Sequence, residues 1–262
     1  MDVKFHITSD GWLDRFTCTA CKKEIDEFVI PAKVDGKEVW SIEQLTRSFS
    51  KLKDHGVRRI KKIKIEEGVR EAQAWAFAGI GIEIDEMLWP SSCDKIPVSC
   101  FYATPLEEIK GIDNIKKIGK SAFACTNLKT ITWPSDCEKI PEGCFYNTPL
   151  KEIHNLDLAK EIGEYAFART NLKTITWPVN CDRIPVNCFR GSTTEEIKFP
   201  AGGIMDIDLY KLAFTFRNIK KIDLSALGVV NFIKGCPGVD YQKLYEGMKD
   251  ILCLPYYVSG LE

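Results

Sequence analysis

Residues 118–161 split into two 22-residue halves built on one apolar frame. The first half reads Ile-Gly-Lys-Ser-Ala-Phe-Ala-Cys-Thr-Asn-Leu-Lys-Thr-Ile-Thr-Trp-Pro-Ser-Asp-Cys-Glu-Lys. The second reads Ile-Pro-Glu-Gly-Cys-Phe-Tyr-Asn-Thr-Pro-Leu-Lys-Glu-Ile-His-Asn-Leu-Asp-Leu-Ala-Lys-Glu. Both carry Ile at position 1, a small residue at 5, Phe at 6, Leu at 11 and Ile at 14. A fixed period of this size marks a solenoid, because one such unit cannot bury its apolar face alone and must stack on its neighbours.

The frame extends in both directions. Its Phe ladder runs Phe49, Phe77, Phe101, Phe123, Phe145, Phe167, Phe189, Phe214, with a 22-residue step through the middle. Strand anchors follow in Ile60/Ile63, Ile84/Met87, Leu106/Ile109, Leu128/Ile131, Leu150/Ile153, Leu172/Ile175 and Ile219/Ile222. A 44-residue period lies on top, in Trp89-Pro90, Trp133-Pro134 and Trp177-Pro178 and in the sets Cys93/Cys137/Cys181 and Cys100/Cys144/Cys188. About eight coils result, more than the roughly three that a repeat array needs for a continuous core.

Within a unit, Leu-x-x-Ile-x-Trp points three side chains inward, with a period-2 step from Ile to Trp that belongs to a strand. Thr and Ile favour the pleated conformation. Pro closes the strand because it has no N–H for the ladder. The Phe residues, among them Phe101, Phe123, Phe145, Phe167 and Phe189, are expected on the return arc as a core spine, together with Trp89, Trp133 and Trp177. Gly111 and Asn155 stand where alternate coils carry Trp, so each large ring is expected to use room left by the next coil.

The ends depart from the frame. Residues 1–40 contain strand candidates around residues 3–7, 12–19 and 27–30 and a tight turn at Val34-Asp35-Gly36-Lys37. They are expected to form an N-terminal β cap, followed by the solenoid over 41–230 and a C-terminal cap over 231–260. Residues 241–252 have apolar side chains at helical spacing. The final pair Leu261-Glu262 reads as a cloning scar.

Two stretches resemble a known family. The opening run Val29-Ile-Pro-Ala-Lys-Val-Asp-Gly-Lys-Glu-Val39, followed by Ile42 and Phe49, is similar to the start of BspA-like leucine-rich repeat proteins. Leu128-Lys-Thr-Ile131-Thr-Trp-Pro134, then Ile140 and Cys144-Phe145, resembles that family's repeat, with Trp in place of the usual aliphatic residue before Pro. The resemblance covers roughly residues 10–225. It implies a right-handed leucine-rich-repeat superhelix with a parallel sheet on its concave side, and a secreted or cell-surface protein of bacteria, adhesion being one role. It implies no enzyme and transfers no binding residues.

Charge and composition narrow the partners. The chain has 36 Lys and Arg against 37 Asp and Glu, a formal net charge of -1, which leaves no electrostatic case for nucleic acid or an anionic membrane. No apolar run is long enough to span a bilayer. The N-terminus has neither the basic nor the apolar segment of a signal peptide. A monomer is expected, with no cofactor and no metal.

Candidate chemistry is sparse. Cys18-Thr-Ala-Cys21 has a redox or zinc-like spacing, but no second pair or nearby His completes a metal set, so a structural role is expected; a redox or metal-handling protein is the alternative reading. Eleven cysteines are an odd number, and six sit at repeat positions, as expected of small buried apolar residues in a chain that tolerates a reducing compartment. His6, His55 and His154 have no recurring nucleophile or carboxylate partner.

What remains is the solvent side of the strands. Its charges alternate in sign from coil to coil and are expected to pair across strands. The coils with fewer charges centre on Lys129, Thr130, Thr132, Lys151, Glu152, His154, Lys173, Thr174 and Thr176. These nine are the candidate concave face for a protein partner, since solenoid concavities commonly bind. An intracellular scaffold or spacer is the alternative.

Overall fold

A computed structural model of the chain describes residues 2–19, 21–181, 183–201, 204–208, 219–227, 229–233, 240–250, 252–253 and 258–259. Successive coils stack so that each repeat contributes one strand to a parallel sheet. Glu24–Ile30, Arg59–Ile65, Glu83–Leu88 and Leu106–Lys110 pair in chain order. Thr130–Thr132 pairs with Glu152–His154, and Thr174–Thr176 with Glu196–Lys198, Lys221–Asp223 and Leu252–Cys253. The anchors stay in register from coil to coil: Ile25, Ile60, Ile84 and Leu106 on one row, Phe28, Ile63, Met87 and Ile109 on the next. Register is strongly held because a one-residue slip would turn every anchor into water.

The chain returns through two-residue bridges, such as Lys95–Ile96 with Lys117–Ile118 and Lys139–Ile140 with Glu161–Ile162. An arc around the Phe follows. There, the N–H of each Phe donates to the carbonyl just before the Phe of the next coil: Phe101 to Ala122 at 2.9 Å, Phe123 to Cys144 at 3.1 Å, Phe145 to Ala166 at 2.9 Å. To turn this tightly the backbone enters the left-handed region two residues before and two after the Phe. Ser99 and Ala103 flank Phe101, Ser121 and Cys125 flank Phe123, and Tyr165 and Arg169 flank Phe167, with φ between 52° and 59°. Most of these residues are not glycine, so each arc carries local strain that the inter-coil hydrogen bonds hold in place.

The rings stack as a column. Phe101 and Phe123 lie 5.7 Å apart at 5°, Phe123 and Phe145 5.7 Å at 6°, Phe145 and Phe167 5.9 Å at 4°. Offset stacking of this kind adds to simple burial. The column continues as tilted contacts through Phe49 to Phe28, Phe16 and Phe5. Phe214 lies outside the described residues. Under each arc a buried hydroxyl closes the turn: Thr126, Thr148 and Thr170 donate to the carbonyls of Phe123, Phe145 and Phe167 at 2.8, 2.9 and 2.8 Å. A buried hydroxyl needs such a partner.

The three tryptophans of the Trp-Pro pairs are buried, and each of their indole N–H groups is satisfied within its own loop. Trp89, Trp133 and Trp177 donate to the carbonyls of Cys93, Cys137 and Cys181, four residues on, at 3.1, 2.7 and 3.2 Å. The intervening coils turn differently. Gly111 (φ 76°) and Asn155 (φ 58°) are left-handed, and Ile112 and Leu156 are buried after them. A Cβ at Gly111 would lie 2.3 Å from the Trp89 carbonyl oxygen, so only glycine fits that approach.

The N-terminal part contains an antiparallel hairpin, Asp2–Ile7 with Trp12–Thr19, whose second strand pairs in parallel with Ser41–Ile42. A second hairpin turns at Asp35 and Gly36, both with positive φ, as the tight turn expected there requires. The strand Glu24–Ile30 joins the repeat ladder directly. The helix Thr46–Asp54 replaces the arc in the coil of Phe49. Phe49 and Leu52 share its buried side, no glycine interrupts it, and Lys51 and Lys53 complement its carboxyl end. Near the C-terminus Tyr241–Met248 is helical, with the Asp240 carboxylate accepting from the Lys243 N–H. Residues 234–239 lie outside the described residues.

Candidate binding face

Along the long strands every unit leaves three outward positions, and stacking turns them into three rows. The first row runs Asp26, Lys61, Asp85, Glu107, Lys129, Lys151, Lys173, Glu195, Lys220. The second runs Glu27, Lys62, Glu86, Glu108, Thr130, Glu152, Thr174, Glu196, Lys221, and the third ends in Thr132, His154, Thr176, Lys198, Asp223.

Toward both ends the rows pair charge with charge. Lys61 meets Asp26 at 2.6 Å, and Arg59 Nε meets both carboxylate oxygens of Asp85 at 2.8 and 3.0 Å. Lys62 contacts Glu86 at 3.2 Å, and Lys110 contacts it as well. Near the other end Glu195 accepts from Lys220 at 2.9 Å and lies 3.5 Å from Lys173, while Lys221 meets Glu196 at 3.4 Å. The Lys110 ammonium holds the Glu86 carboxyl below its ordinary value, and Lys220 does the same for Glu195. Such exposed pairs are individually worth little, because water screens them and two long side chains must be held in one geometry, so they mark a solvated face rather than a source of stability.

The middle is different. Lys129, Lys151 and Lys173 occupy one row on three consecutive coils, and the Lys151 N–H donates to the Lys129 carbonyl at 2.7 Å. Lys129 has Glu107 at 3.6 Å and Lys173 has Glu195. Among the described residues Lys151 has no carboxylate at ion-pair distance. Thr130 and Thr132 stand in register with Glu152 and His154, and Glu152 lies 3.7 Å from the His154 ring.

The sheet also opens here, as it does between Leu106–Lys110 and Thr130–Thr132. Glu152–His154 does not pair as a ladder with Thr174–Thr176; the coils are tied at the edge by Asn171 N–H to the Leu150 carbonyl at 2.9 Å. The left-handed Asn155 turns the chain out of the strand at this point. The result is a hollow of about 640 Å³, lined by Lys151, Glu152, Ile153, His154, Thr174 and Thr176 among others. Ile153 is half-buried, whereas Ile131 and Ile175 are closed over. Six of the nine candidate residues are thus on or directly beside one hollow, and Lys129, Thr130 and Thr132 flank it on the preceding strand. Asn155, Leu156 and Asp157 also line it and were not part of the expected set. Their signal is the absence of the Trp-Pro pair from this coil, with Asn in its place, a residue that tolerates left-handed backbone.

The cysteines are placed as packing groups. Cys93, Cys100, Cys137, Cys144, Cys181 and Cys188 are buried, and burial pushes the Cys100 and Cys144 thiols far above the ordinary value. A thiol held protonated is a poor nucleophile and ligand. Cys18 and Cys21 are joined by a disulfide and lie partly buried against the end of the core. Among the described residues no three His, Cys, Asp or Glu side chains group to hold a metal ion, and no helix is long and apolar enough to cross a membrane.

Residues 46–151 and 160–235 match, in six copies, the family described as BspA type Leucine rich repeat region. Among solved structures, a leucine rich cell surface protein from Faecalibacterium prausnitzii A2-165 superposes with a TM-score of 0.59 at 22% identity, over 87% of this chain and 68% of that one. A leucine-rich repeat protein from Bacteroides ovatus gives a TM-score of 0.41 at 17% identity over 99% and 78%. The pneumococcal vaccine antigen PcpA gives 0.41 at 14% over 98% and 96%. No curated protein matches the sequence.

Proposed function

The chain belongs to the BspA-type leucine-rich repeat family, and on that footing we propose that it is a non-enzymatic protein-binding module of a bacterial cell surface, adhesin-like in its role. The architecture that goes with this reading is a right-handed superhelix of about eight coils. Residues 1–40 and 231–260 cap its ends and 41–230 form the repeats. The long-strand sheet is its concave side. The binding face is Lys129, Thr130, Thr132, Lys151, Glu152, His154, Lys173, Thr174 and Thr176, and the chain acts as a monomer.

The observation that carries the reading is the break in the charge pairing of the sheet face, at the same coils where the sheet opens into a hollow. A face that served only as a solvated wall would keep its charges paired throughout. Surface placement draws on the F. prausnitzii neighbour, itself described as a cell surface protein, and on the Cys18–Cys21 disulfide, a bond at home in oxidising compartments.

The test is affinity capture with the purified chain against extracellular host proteins and against bacterial lysate, beside a variant with Lys129, Lys151 and Lys173 all changed to Glu. A host protein retained by the wild type and lost by the variant is the expected result. Equal capture by both proteins would remove this face from consideration, and capture confined to the lysate would support a scaffold instead.

A further inference from the structure

The central lysines also say what the face takes. Like charges directly opposite one another on neighbouring strands destabilise a sheet. Elsewhere on this face the rows either alternate in sign, as in Asp26, Lys61 and Asp85, or give like-charged neighbours opposite partners: Glu86 and Glu108 stand in register, and Lys62 and Lys110 neutralise them. In the centre three lysines run together, and the middle one, Lys151, has no compensating carboxylate among the described residues. A folded chain that keeps such a row has a ready site for negative charge supplied from outside.

We propose that this row binds a run of acidic residues in an extended segment of a partner protein, lying along the stacking direction across three coils. The inference rests on the binding face proposed above and names its partner's chemistry. Dimensions agree. Successive coils stand 5.7 and 5.9 Å apart at the Phe rings of the return arc, so the three coils span about 12 Å. An extended peptide advances about 3.3 Å per residue, so three to four acidic residues cover the row. Beside the row, Thr130, Thr174, Thr132, His154 and Thr176 offer polar groups, and half-buried Ile153 gives the hollow an apolar patch.

Charge complementarity also separates a peptide from a sulfated polysaccharide. Glu152 and Asp157 line the same hollow and would repel a uniformly anionic chain. They suit a peptide, which brings backbone N–H donors together with its carboxylates.

The experiment is fluorescence anisotropy of a labelled decapeptide with four consecutive acidic residues, Asp-Glu-Asp-Glu, flanked by Gly and Ser, titrated with the full chain at low salt. A Gly-Ser decapeptide and a heparin oligosaccharide serve as parallel probes. The acidic peptide is expected to bind, to weaken as salt screens the contacts, and to lose at least tenfold in affinity with Lys151→Glu. Lys151→Gln should fall between the two. Folding of the variants is checked by thermal melting, where Lys151→Glu is expected to melt no lower than the wild type, because it restores alternation to the row. Acidic-peptide binding that ignores Lys151→Glu would overturn the proposal. So would binding of heparin but not of the peptide, or binding of neither. If a protein captured through this face fails to compete with the acidic peptide, the acidic specificity is wrong while the face itself stands.

Discussion

Trp133→Ala is the sharpest probe of how the repeats hold together. The side chain is fully buried, its ring meets Phe145 edge-on at 5.9 Å, and its indole N–H donates to the Cys137 carbonyl at 2.7 Å. Truncating a buried Trp to Ala costs about 3–5 kcal/mol through lost transfer energy and the cavity left behind. The hydrogen bond belongs to that total, and Trp133→Phe isolates part of it. Phe refills most of the volume but leaves the carbonyl without its donor, for about 1–2 kcal/mol. In a stacked array the damage falls mainly on the mutated coil and its neighbours, so unfolding should lose cooperativity as well as midpoint. Urea denaturation followed by far-ultraviolet circular dichroism reads both. A loss below about 1 kcal/mol for Trp133→Ala would refute the reasoning, since no fully buried Trp in a packed core is that dispensable.

Three further outcomes follow from the same geometry. Ala103 sits at φ 54°, so Ala103→Gly relieves about 1–2 kcal/mol of left-handed strain against about 0.5–1 kcal/mol of added unfolded-chain entropy; urea midpoints should rise slightly, and a fall would show that the arc is unstrained. Thr148→Val keeps the shape but removes the donor to the Phe145 carbonyl, and should cost about 1–2 kcal/mol by the same assay. Asp223 is held at about 2, first by the Ser225 hydroxyl at 2.5 Å and then by Lys221. Its folded value is depressed, so its contribution is present above the unfolded carboxylate value of about 3.9 and is lost as pH falls toward 2. Ser225→Ala should therefore shrink the drop in melting temperature between pH 5 and pH 2.5, and an unchanged drop would exclude that hydroxyl as the cause.

The repeat frame was legible because burial imposes it on every unit. Phe101, Phe123, Phe145 and Phe167 recur at one step, and the rings indeed form a column. What the frame hid depends on context rather than on residue type. The helix Thr46–Asp54 arises where the frame is loosest, and its Phe49 satisfies the Phe position in either conformation. The left-handed arc residues were invisible because Ser121, Cys125, Tyr165 and Arg169 carry no preference for that region; inter-coil hydrogen bonds impose it on them. The buried Thr126, Thr148 and Thr170 look like ordinary strand or turn residues until the Phe carbonyls above them are seen.

The same division holds for the candidate face. Its outward positions could be read from strand alternation, and so could their charges. The isolation of Lys151 was not legible, since it depends on which residues fall opposite in register. The hollow beside Ile153 was not legible either, because it lies at one of the places where neighbouring strands do not close into a ladder.

The most direct test of the central claim is hydrogen–deuterium exchange of the chain with and without its captured partner. Slowed exchange is expected in peptides covering residues 129–132, 151–157 and 172–176, with the Phe arcs around 99–103, 121–125 and 143–147 unchanged. Protection confined to those arcs, with the strand face exchanging as before, would contradict the claim.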